Sequence, residues 1–125
     1  WHIQTPWQAY EAADTGACTG FNVACVSGGP THIKRILAVG EAAGMKCLIG
    51  TDQESTLGVS AQVAVGISSP QVTLPCDPMG PVLYTTSPAK ERVRAVGSYL
   101  YPFDGPGLGV ELDEDRLREL TVASA

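Results

Sequence analysis

The amino-acid sequence predicts an α/β protein with a parallel sheet. Helix-like and strand-like segments alternate over residues 1–76, an order typical of α/β folds. The strand-like segments are apolar along their whole length, as expected for parallel strands covered on both faces. Gly-containing turns precede the first two of them. Residues 1–76 are therefore predicted to form βα repeats, and residues 77–125 to form loops, a hairpin and a short C-terminal helix, all within one partial domain.

Three segments carry the signals of a helix start. Thr5 before Pro6 is a predicted N-cap, because a hydroxyl accepts a bond from an unpaired backbone N–H and proline has no N–H to leave unpaired. Thr31 offers the same cap to a second helix, whose apolar residues recur on one face. Ser55 precedes a third segment that is apolar nearly all round. We expect this third helix to be deeply buried.

Three apolar runs are the predicted strands, at residues 21–26, 45–50 and 71–76. A sheet of three parallel strands would leave both of its edges unpaired. The chain also begins with Trp1 and not with Met. From both observations we expect a cleavage product or a segment of a larger barrel.

The segment after residue 76 has a different pattern. It is rich in Pro and Gly, and the β-prone stretches 82–85 and 98–101 predict a hairpin. Acidic residues at 113–115 then open a short helix at 116–120, because carboxylates are stabilised near the N-terminus of a helix. This region is predicted to be mostly irregular.

Composition and charge limit the class of partner. The chain has 125 residues, a formal net charge of -5 and 44% hydrophobic residues, which is enough for a core. No segment has the length of a transmembrane helix, and no secretory signal peptide is recognisable. No cluster of Lys or Arg could neutralise phosphates. We therefore expect no nucleic acid and no membrane as partner, but a small molecule or another protein.

The four cysteines, Cys18, Cys25, Cys47 and Cys76, lack the close pairing of a Cys-x-x-Cys motif. Most of them lie within or beside apolar runs. We predict buried, reduced thiols in preference to a disulfide or metal framework, and hence a cytoplasmic protein.

Six short motifs follow one another along nearly the whole chain: TPWQAYEA at 5–12, GG at 28–29, EAAG at 41–44, GTDQES at 50–55, CDPMGP at 76–81 and GPGLGVELD at 105–113. In this order they resemble the C-terminal part of the enolase superfamily, within it the muconate cycloisomerase and mandelate racemase branch. The resemblance implies a (β/α)8 barrel of which this chain forms roughly strands six to eight and the C-terminal return segment.

The resemblance also implies a chemistry. Such enzymes abstract a proton α to the carboxylate of a small-molecule acid, and a bound Mg2+ stabilises the resulting enediolate. The metal-binding carboxylates belong to earlier strands, so no metal ligand is expected in this chain. The implied partners are the N-terminal part or a complementary chain of the same barrel and a small carboxylate substrate, in a higher oligomer.

Two carboxylates match catalytic positions of the family. Glu54 matches the glutamate that follows strand seven and faces the substrate, where it serves as a hydrogen-bonding group or acid. Alternatively, it only caps the following helix. Asp77 matches an acidic position after strand eight that contacts the substrate or donates a proton. Alternatively, it only starts a turn before Pro78.

Three further residues are predicted to bind substrate. Thr51 and Asp52 lie in the same loop as Glu54, although a solvated carboxylate is an equal alternative for Asp52. Asn22 lies in the predicted sixth strand. It is either a polar pocket residue or an amide that pairs with neighbouring backbone groups.

The chain departs from the family pattern at two places. The lysine of the sixth strand is replaced, since Val23 or Ala24 occupies its position. The histidine that racemase-like members carry after strand seven is also missing from residues 50–52. A one-base reaction, such as cycloisomerisation, dehydration or syn-elimination, is therefore favoured over racemisation. The alternative is a non-catalytic structural or interaction subunit that retains the barrel scaffold.

Overall fold

The structure, a computed structural model, describes residues 3–122, so Trp1 lies outside the described residues. Its regular elements, in chain order, are α1 (Pro6–Asp14), β1 (Gly20–Val23), α2 (Gly29–Ala42), β2 (Lys46–Ile49), α3 (Thr56–Ile67), α4 (Gly80–Leu83), β3 (Arg94–Val96), β4 (Tyr99–Tyr101) and α5 (Glu114–Leu120). The order confirms the predicted α/β class.

Helix α1 begins as predicted. The Thr5 hydroxyl accepts a hydrogen bond from the backbone N–H of Gln8, and the Gln8 side chain accepts one from the Thr5 N–H, at 3.2 and 3.1 Å. This reciprocal pair is a capping box. It satisfies two backbone groups that the helix itself leaves unpaired.

Helix α2 begins two residues before the predicted cap. Thr31 lies inside the helix, and the N-cap is Gly28, which has a left-handed backbone with φ of 108°. The Thr31 prediction was wrong because Pro30, with its fixed φ and missing N–H, fits within the first helical turn. Glycine is suited to the left-handed position, since it has no Cβ.

The two helix starts give a matched test of capping. Thr5→Ala should lower the free energy of unfolding by about 0.5–2 kcal/mol, because it removes a capping hydroxyl. Thr31→Ala should leave it unchanged or slightly raised, since alanine favours a helix interior. Urea unfolding of the two variants measures both effects. Equal losses for both would contradict the observed helix start.

Strands β1 and β2 pair in parallel, with Phe21 opposite Cys47. The first predicted strand ends early, because residues 25–27 form a 3-10 turn. The third predicted run, 71–76, forms no regular strand and is joined to β2 by a single bridge between Cys47 and Val72. Two consecutive N–H groups, of Thr73 and Leu74, donate to the Cys47 carbonyl. Pro75, which has no N–H, then interrupts the ladder, and the next backbone bond to β2 comes only from the Asp77 N–H to the Ile49 carbonyl.

One face of the small sheet is covered by helices. Alternate strand residues Phe21, Val23, Cys47 and Ile49 are buried against α1, α2 and α3. On the other face, within residues 3–122, Asn22 of β1 is exposed. The sequence predicted a sheet covered on both faces. Within residues 3–122, only the face that carries Phe21 and Cys47 is covered.

Helix α3 is buried nearly all round, as predicted. Its buried residues include Val59, Ser60, Gln62 and Val65. Two apolar residues are exposed, Leu57 in the first turn at 38% and Ile67 in the last turn at 69%. This helix lies between the main core and a second apolar cluster, which is formed by Val59, Val63 and Val93 with Leu100 and Phe103.

The C-terminal region differs from its prediction in two places. Residues 82–85 were a predicted strand, but residues 80–83 form α4. The hairpin forms between β3 and β4, with Gly97 at φ of 57° in the turn. Adjacent segments joined by a two-residue turn pair in preference to distant ones, because such a turn needs little loop-closure entropy. Helix α5 starts at Glu114, and Asp113 caps it through a 3.0 Å bond from the Arg116 N–H.

The four cysteines are free thiols. Cys47 is buried, Cys18 and Cys25 are partly buried, and Cys76 is exposed. The prediction of burial was wrong for Cys76, because this residue lies in the irregular segment after Pro75. None of the helices between residues 3 and 122 is both long and apolar enough to cross a bilayer.

Candidate active site

Glu54 lies in the loop between the carboxyl end of β2 and the start of α3. Its Oε2 accepts hydrogen bonds from the Thr51 hydroxyl at 3.1 Å and the Asp52 backbone N–H at 2.9 Å. Its Oε1 accepts one from Gln62 Nε2 at 2.6 Å. None of these three donors is a backbone N–H of α3, whose N-cap is Ser55. The geometry therefore differs from that of a helix cap.

The backbone of this loop is fixed by two further bonds. Gln53 has a left-handed conformation, with φ of 63°, which is uncommon for a residue other than glycine. Its N–H donates to the Thr51 hydroxyl at 3.0 Å, and its carbonyl accepts a bond from the Tyr84 hydroxyl at 2.6 Å. These bonds compensate for the unfavourable conformation and hold the loop in one shape.

Two glycines leave room for Glu54. A Cβ at Gly58, in the first turn of α3, would lie 2.6 Å from the Cβ of Glu54. A Cβ at Gly80, at the start of α4, would overlap the Glu54 carbonyl oxygen. The backbone of α4 thus packs directly against the backbone of the loop.

Asn22 lies on the exposed face of β1, and its amide crosses over Gly50 so closely that a Cβ at Gly50 would overlap it. Val23 is instead buried on the helix side. Of the two candidate positions for the missing lysine, Val23 and Ala24, Val23 therefore cannot face the open side of the sheet.

A small cavity of about 80 Å³ at the strand ends is lined by Ile3, Asn22, Ala24, Val26, Ser27 and Thr51. The structure thus places Asn22 and Thr51 together.

Two residues near Glu54 were not among the predicted site residues. Burial and, to a smaller extent, the negative charge of Glu54 raise the pKa of the Cys25 thiol to about 11. Cys25 is therefore a neutral thiol at neutral pH. The second residue is Gln62, whose amide contacts Glu54. A signal for Gln62 existed in the sequence, since it is a large polar residue within the apolar stretch of α3.

A sequence model described as "Enolase C-terminal domain-like" matches residues 2–116. The chain belongs to this enolase family. The match confirms the predicted resemblance, and the fold is that of the C-terminal part of a (β/α)8 barrel.

Relatives of this enolase-family chain include muconate cycloisomerase 1 of Rhodococcus opacus, at 29% identity over 95% of the chain and 32% of the relative. The chloromuconate cycloisomerase of Pseudomonas sp. strain P51 is 31% identical over 93% of the chain and 32% of the relative. The chain therefore spans about a third of the length of the curated relatives it matches.

Solved structures give the same result. The muconate lactonizing enzyme from Klebsiella pneumoniae superposes with a TM-score of 0.90 at 27% identity, over 97% of this chain and 34% of that one. The muconate lactonizing enzyme from Pseudomonas fluorescens complexed with muconolactone has a TM-score of 0.88 at 30% identity, over 94% and 32% of the two chains. The L-Ala-D/L-Glu epimerase from Bacillus subtilis has a TM-score of 0.80 at 28% identity, over 86% and 30%.

In this enolase-family chain, Asp77 lies near the end of β2 through its backbone, because its N–H donates to the Ile49 carbonyl at 3.2 Å. Its side chain is exposed and forms no ion pair with another described residue. Asp52 contacts Glu54 through its N–H and not through its carboxylate. Catalysis by Asp77 and substrate binding by Asp52 stay predictions.

The enolase family implies a Mg2+ ion, whose protein ligands are oxygen atoms, chiefly those of carboxylates. Among residues 3–122, no group of three or more His, Cys, Asp or Glu side chains could hold a metal ion. These residues therefore do not fit a magnesium site by themselves. The carboxylate of Glu54 accepts hydrogen bonds from three protein donors, so its position is explained without a bound metal.

Proposed function

We propose that this chain forms one wall of the active site of an enolase-superfamily enzyme of the cycloisomerase or dehydratase type. The observation that carries the proposal is the carboxylate of Glu54, which three donors hold at the end of a barrel strand. A carboxylate offers about four acceptor positions. One position is thus left for a substrate, in a loop of fixed shape.

The three donors to Glu54 are all uncharged: a hydroxyl, a backbone N–H and an amide. They orient the carboxylate but do not neutralise it with a cation. Such a group can form a hydrogen bond with a substrate or act as an acid towards it at a defined place. Asn22 and Thr51, which line the neighbouring cavity, would supply polar contacts to the same substrate. Asp52 and Asp77 complete the proposed set.

The proposed substrate is a small carboxylic acid of the muconate type. Support comes from relatives named muconate and chloromuconate cycloisomerases. The principal base and any Mg2+ ligands would be supplied outside this chain, by the remaining strands of the barrel. We refer to this chain together with those strands, in one polypeptide or in two, as the assembled barrel. A higher oligomer and a cytoplasmic location are part of the same proposal.

The second candidate is a structural subunit without catalysis. One observation favours it: neither Asn22 nor Ala24, the residues near the open cavity at the end of β1, can take up a proton from carbon. The base of the family's sixth strand is therefore not replaced at that position. The two candidates differ in whether the assembled barrel converts a substrate.

The assembled barrel should convert muconate into a lactone, which proton NMR detects directly. In deuterated water, the product or the recovered substrate should carry deuterium next to a carboxylate, because proton transfer at that carbon is the proposed step. Chloromuconate and other small carboxylic acids extend the panel. If none is converted or exchanged, while the barrel is folded by circular dichroism, the structural candidate is the correct one.

A further inference from the structure

Gln62 is a large polar residue in the interior of the molecule. Its side chain is 1% exposed and lies in the otherwise mainly apolar helix α3. The amide nitrogen donates two hydrogen bonds, to Glu54 Oε1 at 2.6 Å and to the Gly50 carbonyl at 2.9 Å. The amide oxygen is buried and has no hydrogen-bond partner.

The orientation of this amide follows from its neighbours. Both groups that it contacts are acceptors, a carboxylate and a carbonyl, so only the NH2 end can face them. Turning the amide over would place its oxygen against two other oxygens. The observed orientation leaves the Gln62 oxygen unpaired, which disfavours the folded state. The amide therefore pairs two acceptors of the loop between β2 and α3, while its own oxygen stays without a partner.

The two contacts join the ends of the loop. Gly50 is the residue after β2, and Glu54 is the last residue before the N-cap of α3. One NH2 group from the middle of α3 thus fixes the distance between them. Because the donor is neutral, the loop is held without a cation that would neutralise Glu54. A lysine or arginine in the same place would form an ion pair with the carboxylate.

We propose that Gln62 is the positioning residue for Glu54, setting the place of Oε1 and keeping its negative charge available to the substrate. The inference rests on the proposed function of Glu54. It goes beyond that function, because it assigns a role to a residue of the helix that does not itself reach the substrate.

The test compares three variants in the assembled barrel with muconate as substrate. Gln62→Met keeps the approximate length and removes both bonds, so kcat should fall about tenfold or more with a smaller change in KM. Gln62→Glu places two carboxyl groups within hydrogen-bond distance, where they cannot both be ionised without strong repulsion. At low pH the introduced carboxyl is protonated and its single O–H can donate to Glu54 but not also to the Gly50 carbonyl, so kcat should recover in part. At higher pH both groups ionise, and kcat should fall.

Gln71→Glu is the matched control. Gln71 also carries a buried amide oxygen without a partner, but it lies in the segment after α3 and has no bond to Glu54. Its substitution should leave the shape of the pH–kcat profile unchanged. If Gln62→Met retains full kcat, or if Gln62→Glu has the same pH profile as Gln71→Glu, Gln62 has only a structural role and the proposal is overturned.

A second measurement separates this proposal from the proposed function. Carbon-13 NMR titration of the Glu54 carboxyl reports its proton equilibrium without any turnover. If the unmodified barrel is active and Gln62→Met has the same kcat, the positioning role is refuted and the proposed function stands. An inactive barrel refutes the function, and the titration then decides the inference alone. A Glu54 titration that Gln62→Glu leaves unchanged overturns it.

Discussion

Glu54→Gln should lower kcat of the assembled barrel by about 10²–10⁴-fold, the usual contribution of a group that transfers a proton. The amide has nearly the size of the carboxylate, so the loop has no steric reason to move. The amide cannot act as an acid at this position, however, and its NH2 end would face donors. Thr51, Asp52 and Gln62 all direct a hydrogen towards Glu54. Measurement of kcat and KM with muconate tests this expectation.

The control for Glu54 is Glu41→Gln. Glu41 is an exposed glutamate in the last turn of α2, so the substitution changes the net charge by the same amount away from the loop. We expect no change in kcat. A Glu54→Gln variant that stays within about twofold of the unmodified kcat would mean that less than about 0.5 kcal/mol of transition-state stabilisation depends on this carboxylate. Glu54 would then be a structural group.

Gly80→Ala should have the largest effect on stability. The new Cβ would overlap the Glu54 carbonyl oxygen and lie 2.6 Å from its carbonyl carbon. Both groups belong to backbone, so no flexible side chain can move aside, and α4 must shift away from the loop. We expect the free energy of unfolding to fall by about 1–3 kcal/mol or more. Urea unfolding measures this loss, and kcat should fall with it because the Glu54 loop is displaced.

Gly66→Ala should have the opposite effect and raise the free energy of unfolding. Gly66 lies in the last turn of α3, and the nearest atom to an added Cβ is Ile49 Cγ1 at 3.9 Å, an ordinary contact. Alanine is favoured over glycine in a helix, so this variant should gain about 0.5–1 kcal/mol. Similar unfolding midpoints for the two variants would show that the backbones of α4 and of the Glu54 loop are not in direct contact.

Features that depend on neighbouring residues were predictable from the sequence. The capping box at Thr5 needs only residues three positions apart, and helix α3 is marked by apolar residues nearly all round. The position of Glu54 in a loop after a strand follows from the same local reading. The pattern was insufficient where two local signals competed, as at Thr31, where the proline before it already belongs to the helix.

Pairing between distant segments was predicted less well. The run 71–76 has the composition of a strand, but two N–H groups share one carbonyl of β2 and Pro75 then interrupts the ladder. The second strand of the hairpin was recognised, whereas its partner was placed at 82–85 and is 94–96. Apolar and β-branched residues favour a strand in general. They do not specify which segment becomes the neighbour.

The sequence by itself determined the α/β order, the family through its six spaced motifs, and a glutamate after the second strand. Only the tertiary structure decided what surrounds that glutamate. Gln62 approaches it from the middle of α3, Gly80 from α4, and Tyr84 reaches the adjacent Gln53 from 31 residues away. Hydrogen bonds and close contacts of this kind depend on how helices pack against a loop, and packing is set by the whole core and not by the spacing of residues along the chain.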